Sequence, residues 1–146
     1  MRTVVFPLVT LIAALVASPP IDPAGHRVRG EWRGTSLCTN RVLAPACKNE
    51  TVRYVFRGPV PPANTYRLAA DKFVDGAWQP MGELDFTYRA ADSTWRSPLD
   101  APLCKGCTWW FRIAPPGLVG GLVTGEGDTL RKATARRPPQ AARRQP

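Results

Sequence analysis

From residue 30 onward, apolar and polar residues alternate in short runs, and turn-forming residues interrupt the runs at close intervals. Alternation with a period of two sends successive side chains to opposite faces of a pleated strand. Helical periodicity is weak throughout, so the chain is predicted to be all-β. Gly30 to Cys38 forms the first strand, with Trp32, Gly34 and Ser36 on one face and Arg33, Thr35 and Leu37 on the other. Thr51 to Arg57 groups Val52, Tyr54 and Phe56, and Gly58-Pro59-Val60-Pro61-Pro62 then breaks the chain. Thr65 to Val74 is followed by Asp75-Gly76, a strong hairpin turn, and by Ala77 to Met81. Leu84, Phe86 and Tyr88 alternate with Glu83, Asp85 and Thr87, and Ser93 to Ser97 follows a turn at Ala91-Asp92. Thr108 to Ile113 sets Trp109, Phe111 and Ile113 against Trp110 and Arg112. Leu118 to Thr124 and Thr129 to Ala135 make a last hairpin. About eight strands joined by short links are antiparallel neighbours. They can close into an up-and-down barrel, which removes their exposed edges, or stack as a two-sheet sandwich.

The N-terminus places Arg2 before an apolar run from Val4 to Val16, broken only by Thr10. A membrane span needs about 20 apolar residues, so residues 1–18 are expected to be a signal peptide and not an anchor. Residues 19–29 read as a linker, 30–135 as the barrel, and 136–146 as a disordered basic tail. Export to the periplasm or the extracellular space follows from this reading. The formal charge is +9, but from Pro19 to Leu130 there are 13 Lys/Arg against 11 Asp/Glu, a balance of +2. The excess sits at the end, in Arg131, Lys132, Arg136, Arg137, Arg143 and Arg144. Specific nucleic-acid binding is therefore not expected, whereas the tail suits an anionic surface.

Four cysteines, Cys38, Cys47, Cys104 and Cys107, allow three disulfide connectivities in an exported chain. Cys38–Cys47 with Cys104–Cys107 is favoured. A zinc site competes poorly, because the gap from Cys38 to Cys47 exceeds the usual knuckle spacing. A redox CxxC normally sits at a helix N-terminus, which lowers the thiol pKa. Cys104-Lys105-Gly106-Cys107 instead precedes the strand Thr108-Trp109-Trp110-Phe111.

Gly30-Glu31-Trp32 resembles the Gly-x-Trp opening of lipocalins and related calycin barrels, though their Thr-Asp-Tyr motif is absent. The resemblance extends over the strand pattern from Gly30 to Ala135. It implies that Trp32 closes the barrel base, with a cation of the last strand lying across its ring, and Arg131 is the candidate for that role. Trp32-x-Gly34-x-Ser36-x-Cys38 and Pro45-x-Cys47-x-x-Glu50 further resemble a group of small exported bacterial proteins of unknown function. An eight-stranded barrel is just wide enough to be filled by its own side chains or to hold one small ligand. Tyr54, Phe56, Phe86, Tyr88, Trp109 and Phe111 are the candidates for the interior or the ligand-lining wall.

Catalytic chemistry has little to stand on. The single histidine, His26, precedes the first strand, Glu83 and Asp85 are expected to face water, and no phosphate-cradling glycine loop is present. Asn49-Glu50-Thr51 matches a glycosylation sequon. No cofactor and no metal are expected. The leading expectation is a monomeric exported binding protein for an apolar small molecule. The alternatives are a barrel that binds an extracytoplasmic protein, such as a hydrolase inhibitor, and a CxxC thiol-redox protein. In the inhibitor reading, Cys38 to Cys47 and Leu99 to Lys105 carry the contacts.

Overall fold

The structure, a computed structural model, describes residues 27–102 and 104–139. The expected signal segment, His26 and the far end of the basic tail lie outside the described residues. Eight antiparallel strands follow one another up and down and close into a barrel. They are β1 (Gly30–Cys38), β2 (Glu50–Val60), β3 (Thr65–Val74), β4 (Ala77–Arg89), β5 (Thr94–Ala101), β6 (Cys104–Ala114), β7 (Gly117–Val123) and β8 (Thr129–Arg136). Closure excludes the two-sheet sandwich. The expected pair of segments at Ala77–Met81 and Leu84–Tyr88 is one strand, β4, with an irregularity in its pairing to β3 opposite Ala70 and Asp71.

The seam depends on small residues. Gly34 of β1 pairs with Ala135 of β8, and a Cβ on Gly34 would stand 1.9 Å from the Thr134 carbonyl oxygen. Only a residue without a side chain lets the two strands approach that closely. Ala133 and Ala135 keep the same seam thin on the interior side.

Alternation decides which residues enter the barrel. Trp32 and Ser36 of β1, Val52, Tyr54 and Phe56 of β2, Phe86 of β4 and Phe111 of β6 are buried, as the sequence pattern requires. Glu83 and Asp85 lie on the outer face as expected, in ion pairs with Arg57 and Arg67.

The ends of the barrel differ. At the base, Val28 is helical and fully buried, and its carbonyl accepts a hydrogen bond from Trp32 Nε1 at 2.7 Å. The cation over the Trp32 ring is Arg137, with its guanidinium carbon 4.1 Å from the ring centre. This corrects the expectation for Arg131, and strand register is the reason. Arg33 pairs with Arg136, so the next step along β8 faces Trp32 (residue 137), whereas Arg131 pairs with Cys38 at the other end. Six residues along a strand is about 20 Å. The boundary of the tail shifts with it: Arg136 is the last residue of β8, and Arg137 donates to the carbonyls of Arg27 and Arg29. Gly30 lies beneath that side chain, where a Cβ would come within 2.6 Å of the Arg137 guanidinium.

Candidate functional site

The interior is filled at the base and open at the mouth. Phe56, Phe86 and Phe111 form a three-ring plug, with centroids 5.8, 5.8 and 5.4 Å apart. Edge-on and tilted ring pairs of this kind pack densely and favourably. Trp95, Tyr66, Leu68 and Leu118 surround the plug on the way to Trp32. Tyr88 leans on Trp95, with ring centres 4.8 Å apart, and belongs to this filled half.

Above the plug lies a cavity of about 450 Å3. Phe86 and Phe111 form its floor, and Tyr54, Trp109, Leu68, Ala70, Leu84, Leu99 and Leu122 contribute to its walls. Trp109 stacks almost parallel to Phe111, at 5° and 6.0 Å. Of the six aromatic candidates read from the sequence, Tyr54, Phe86, Trp109 and Phe111 reach the cavity. Phe56 and Tyr88 are placed in the plug and the filled half.

The cavity exists because β4 and β5 part company. They pair only from Thr87–Arg89 to Thr94–Arg96, after which β4 leaves toward Met81 and β5 toward Leu99. Pro80 in β4 and Pro98 in β5 lie on the separated stretches, and neither has an N–H for strand pairing. Met81, Gly82 and Glu83 on one lip and Leu99 on the other border the opening.

One wall is polar, and Arg131 organises it. Its Nε donates to Ser36 Oγ at 2.9 Å, and its Nη1 to Cys47 Sγ at 3.2 Å. Its Nη2 donates to the Ser36 carbonyl, the Lys48 carbonyl and Glu50 Oε2 at 3.1, 2.9 and 2.8 Å. The side chains of Arg131 and Glu50 are only 14% and 22% exposed, so water shields the pair weakly. Lys72 Nζ stands 4.0 Å from the other Glu50 oxygen. Tyr54 bonds to Ser36, and burial pushes its phenol up to about 12 despite that bond and the nearby Arg131 charge. Tyr54 is therefore a neutral hydroxyl at any ordinary pH.

The motif residues Ser36, Cys47 and Glu50 thus share one physical role. They are the acceptors that hold Arg131 inside the mouth. Strand alternation alone could have placed Ser36 and Arg131 inward. Glu50 carries no comparable local signal.

Both favoured disulfides are present. Cys38–Cys47 ties the end of β1 to the loop before β2, and Cys104–Cys107 pinches the start of β6. Cys107 is buried against Leu122 and Leu130, beside Leu99 and Trp109 of the cavity wall. Among the described residues, no cluster of histidine, cysteine and carboxylate side chains has the makings of a metal site.

No family model matches the chain, and no curated protein matches it. Among solved structures the chain is similar to a redesigned β-barrel, mFAP1, bound to DFHBI. The TM-score is 0.53 at 18% sequence identity, over 78% of this chain and 98% of that one. At that identity the likeness is one of fold: a closed, eight-stranded, antiparallel barrel.

Proposed function

We propose that this protein is an exported, non-catalytic barrel that carries one small, largely apolar molecule in the mouth of the barrel. The observation that carries the reading is the cavity of about 450 Å3 above the aromatic plug. Ligand sites generally occupy about 300–1,000 Å3 and combine apolar walls with a few placed polar groups. Tyr54, Trp109 and the leucines supply the walls, and Ser36 and Glu50 supply the polar groups. A barrel of similar fold, mFAP1, holds the small molecule DFHBI, which supports a barrel of this size as a carrier. Two disulfides suit an oxidising compartment, as does the apolar run from Val4 to Val16.

The test is saturable binding of a neutral fluorescent aromatic dye, with Ala70→Phe as the control. Ala70 points into the cavity, so the larger side chain occupies the space of the ligand without removing any of the plug. Stoichiometric binding to the natural protein that is lost in Ala70→Phe is the expected result. Binding that survives the substitution, or none in either protein, sinks the reading.

A second reading has one observation in its favour. Val42 and Leu43 stand on the loop tied by Cys38–Cys47, and Val42 is 92% exposed. A short, cross-linked loop that presents apolar side chains is pre-ordered for insertion into a protein partner. Loss of capture of a secreted hydrolase on Val42→Ser/Leu43→Ser would assign that role to the loop.

A further inference from the structure

We infer that the cavity selects an uncharged amphipathic ligand: an apolar, ring-sized body with a hydroxyl, phenol or carbonyl group turned toward Ser36, Tyr54 and Glu50. The inference rests on the cavity being a ligand site and goes on to name the class of ligand.

A lone arginine in an apolar pocket would ordinarily read as a receptor for a carboxylate or a sulfonate. Arg131 is not alone. Its Nε is spent on Ser36, and its Nη2 on two carbonyls and on Glu50. Its Nη1 is turned to Cys47 Sγ, on the loop side of the wall. The guanidinium charge is already matched by Glu50 at 2.8 Å. An anionic headgroup entering here would meet the Glu50 carboxylate and find the best donors of Arg131 occupied. A cationic headgroup would meet Arg131 in the cavity wall. Lys72 does not line the cavity, and Glu83 at the lip is exposed and set against Arg57. Neither charge therefore gains a free counter-ion inside the cavity in exchange for its hydration, which is costly in a shielded site.

A neutral polar group meets no such penalty. Beyond its bond to Ser36 the Tyr54 hydroxyl can make a further hydrogen bond, and Glu50 Oε1, which Arg131 does not engage, remains an acceptor beside the apolar walls. Trp109, stacked on Phe111, offers a flat face to a planar body.

The experiment compares two dyes with the same ring skeleton. N-phenyl-1-naphthylamine is neutral, and 8-anilino-1-naphthalenesulfonate adds one sulfonate. Titrations of the full-length folded protein are expected to give at least tenfold tighter binding of the neutral dye. Glu50→Gln keeps the shape of the wall and uncovers the charge of Arg131, so the preference is expected to shrink at least tenfold. In the natural protein, raising the salt concentration is expected to leave sulfonate binding unchanged or stronger, because salt screens the repulsion of Glu50. This arm needs no variant.

Sulfonate binding as tight as that of the neutral dye, or weakened tenfold by salt, would overturn the inference and make Arg131 an anion receptor. A preference that Glu50→Gln leaves unchanged in a folded variant would also overturn it. Failure of both dyes to bind, or binding that survives Ala70→Phe, would instead strike the cavity reading itself.

Discussion

The guanidinium of Arg137 lies 4.1 Å above the ring of Trp32, one register step past the last pairing of β1 with β8. Arg131, within β8 itself, holds Glu50 at the far end of the barrel. Two arginines six positions apart therefore do different work.

Their removal is expected to separate the two roles. Arg137→Ala loses a cation–π contact and two exposed bonds to the carbonyls of Arg27 and Arg29, which water can replace, at a cost of about 0.5–2 kcal/mol. Arg131→Ala strands the Glu50 carboxylate and frees the carbonyls of Ser36 and Lys48, at a cost of about 2–4 kcal/mol. Midpoints of guanidinium unfolding at constant slope measure both. A larger loss for Arg137→Ala would contradict the assignment.

The disulfides are predicted to contribute unequally. Closing the ten-residue loop from Cys38 to Cys47 stabilises by about 2.7 kcal/mol in the chain-entropy model, and the four-residue loop from Cys104 to Cys107 by about 1.9 kcal/mol. Loss of Cys47 also removes an acceptor of Arg131, so the first pair is expected to exceed its entropic share. Thermal unfolding of the two paired Cys→Ala variants, which leave no acceptor at position 47, checks the order. Equal shifts would place Arg131 outside the energetics of the loop.

The strands were readable because each is a local pattern: Val52, Tyr54 and Phe56 announce their shared face within five residues. The hairpin at Asp75-Gly76 is equally local, since two residues with positive φ are what a tight turn between twisted strands needs. The partner of Trp32 was not readable. It depends on the register between two strands about 100 residues apart in sequence, and a cation at either end of β8 satisfies the same sequence description. The cavity was hidden for a similar reason. Its volume comes from the parting of β4 and β5, and Pro80 and Pro98 mark the separated stretches without saying how far the strands diverge. Glu50 was visible only as part of a motif, because a charged residue at the start of a strand ordinarily faces water.

Tyr54 makes stability sensitive to alkali. Its phenol is raised from 10.0 to about 12 chiefly by burial, so the folded state keeps a proton that the unfolded state gives up. The contribution of Tyr54 is fully present below pH 10 and is lost as pH rises from there through about 12. At the upper end the loss approaches about 2–3 kcal/mol. Tyr54→Phe is expected to flatten this part of the pH profile. A tyrosinate absorbance titration of the folded protein checks the group directly: one tyrosine should ionise last, and only in the natural protein.

Asp92 acts at the other end of the pH scale. Its carboxylate accepts from the hydroxyl and the backbone N–H of Thr94 and from Arg96, and the hydroxyl bond contributes most to holding its pKa below the ordinary range. A depressed carboxyl pKa adds stability above the unfolded value that disappears as pH falls through the folded one. Asp92→Asn is therefore expected to unfold more easily at neutral pH and to lose less of its stability on acidification. Parallel acid unfolding curves for the two proteins would refute this.

The two buried tryptophans of the filled half provide the sharpest contrast. Trp32 Nε1 donates to the Val28 carbonyl at 2.7 Å, whereas Trp95 Nε1 is buried with no partner among the described residues. Both rings are almost fully inaccessible, so Trp→Phe removes similar apolar volume at each site. At Trp32 the change also strands a buried carbonyl, adding about 1–3 kcal/mol to the packing loss. At Trp95 it deletes an N–H whose burial is itself costly, which offsets part of the same packing loss. Trp32→Phe is therefore expected to lower stability by about 1–3 kcal/mol more than Trp95→Phe. Denaturant unfolding of the two single variants decides it. A greater loss at Trp95 would show that its indole N–H is satisfied in the folded protein and that this part of the core is wetter than its packing indicates.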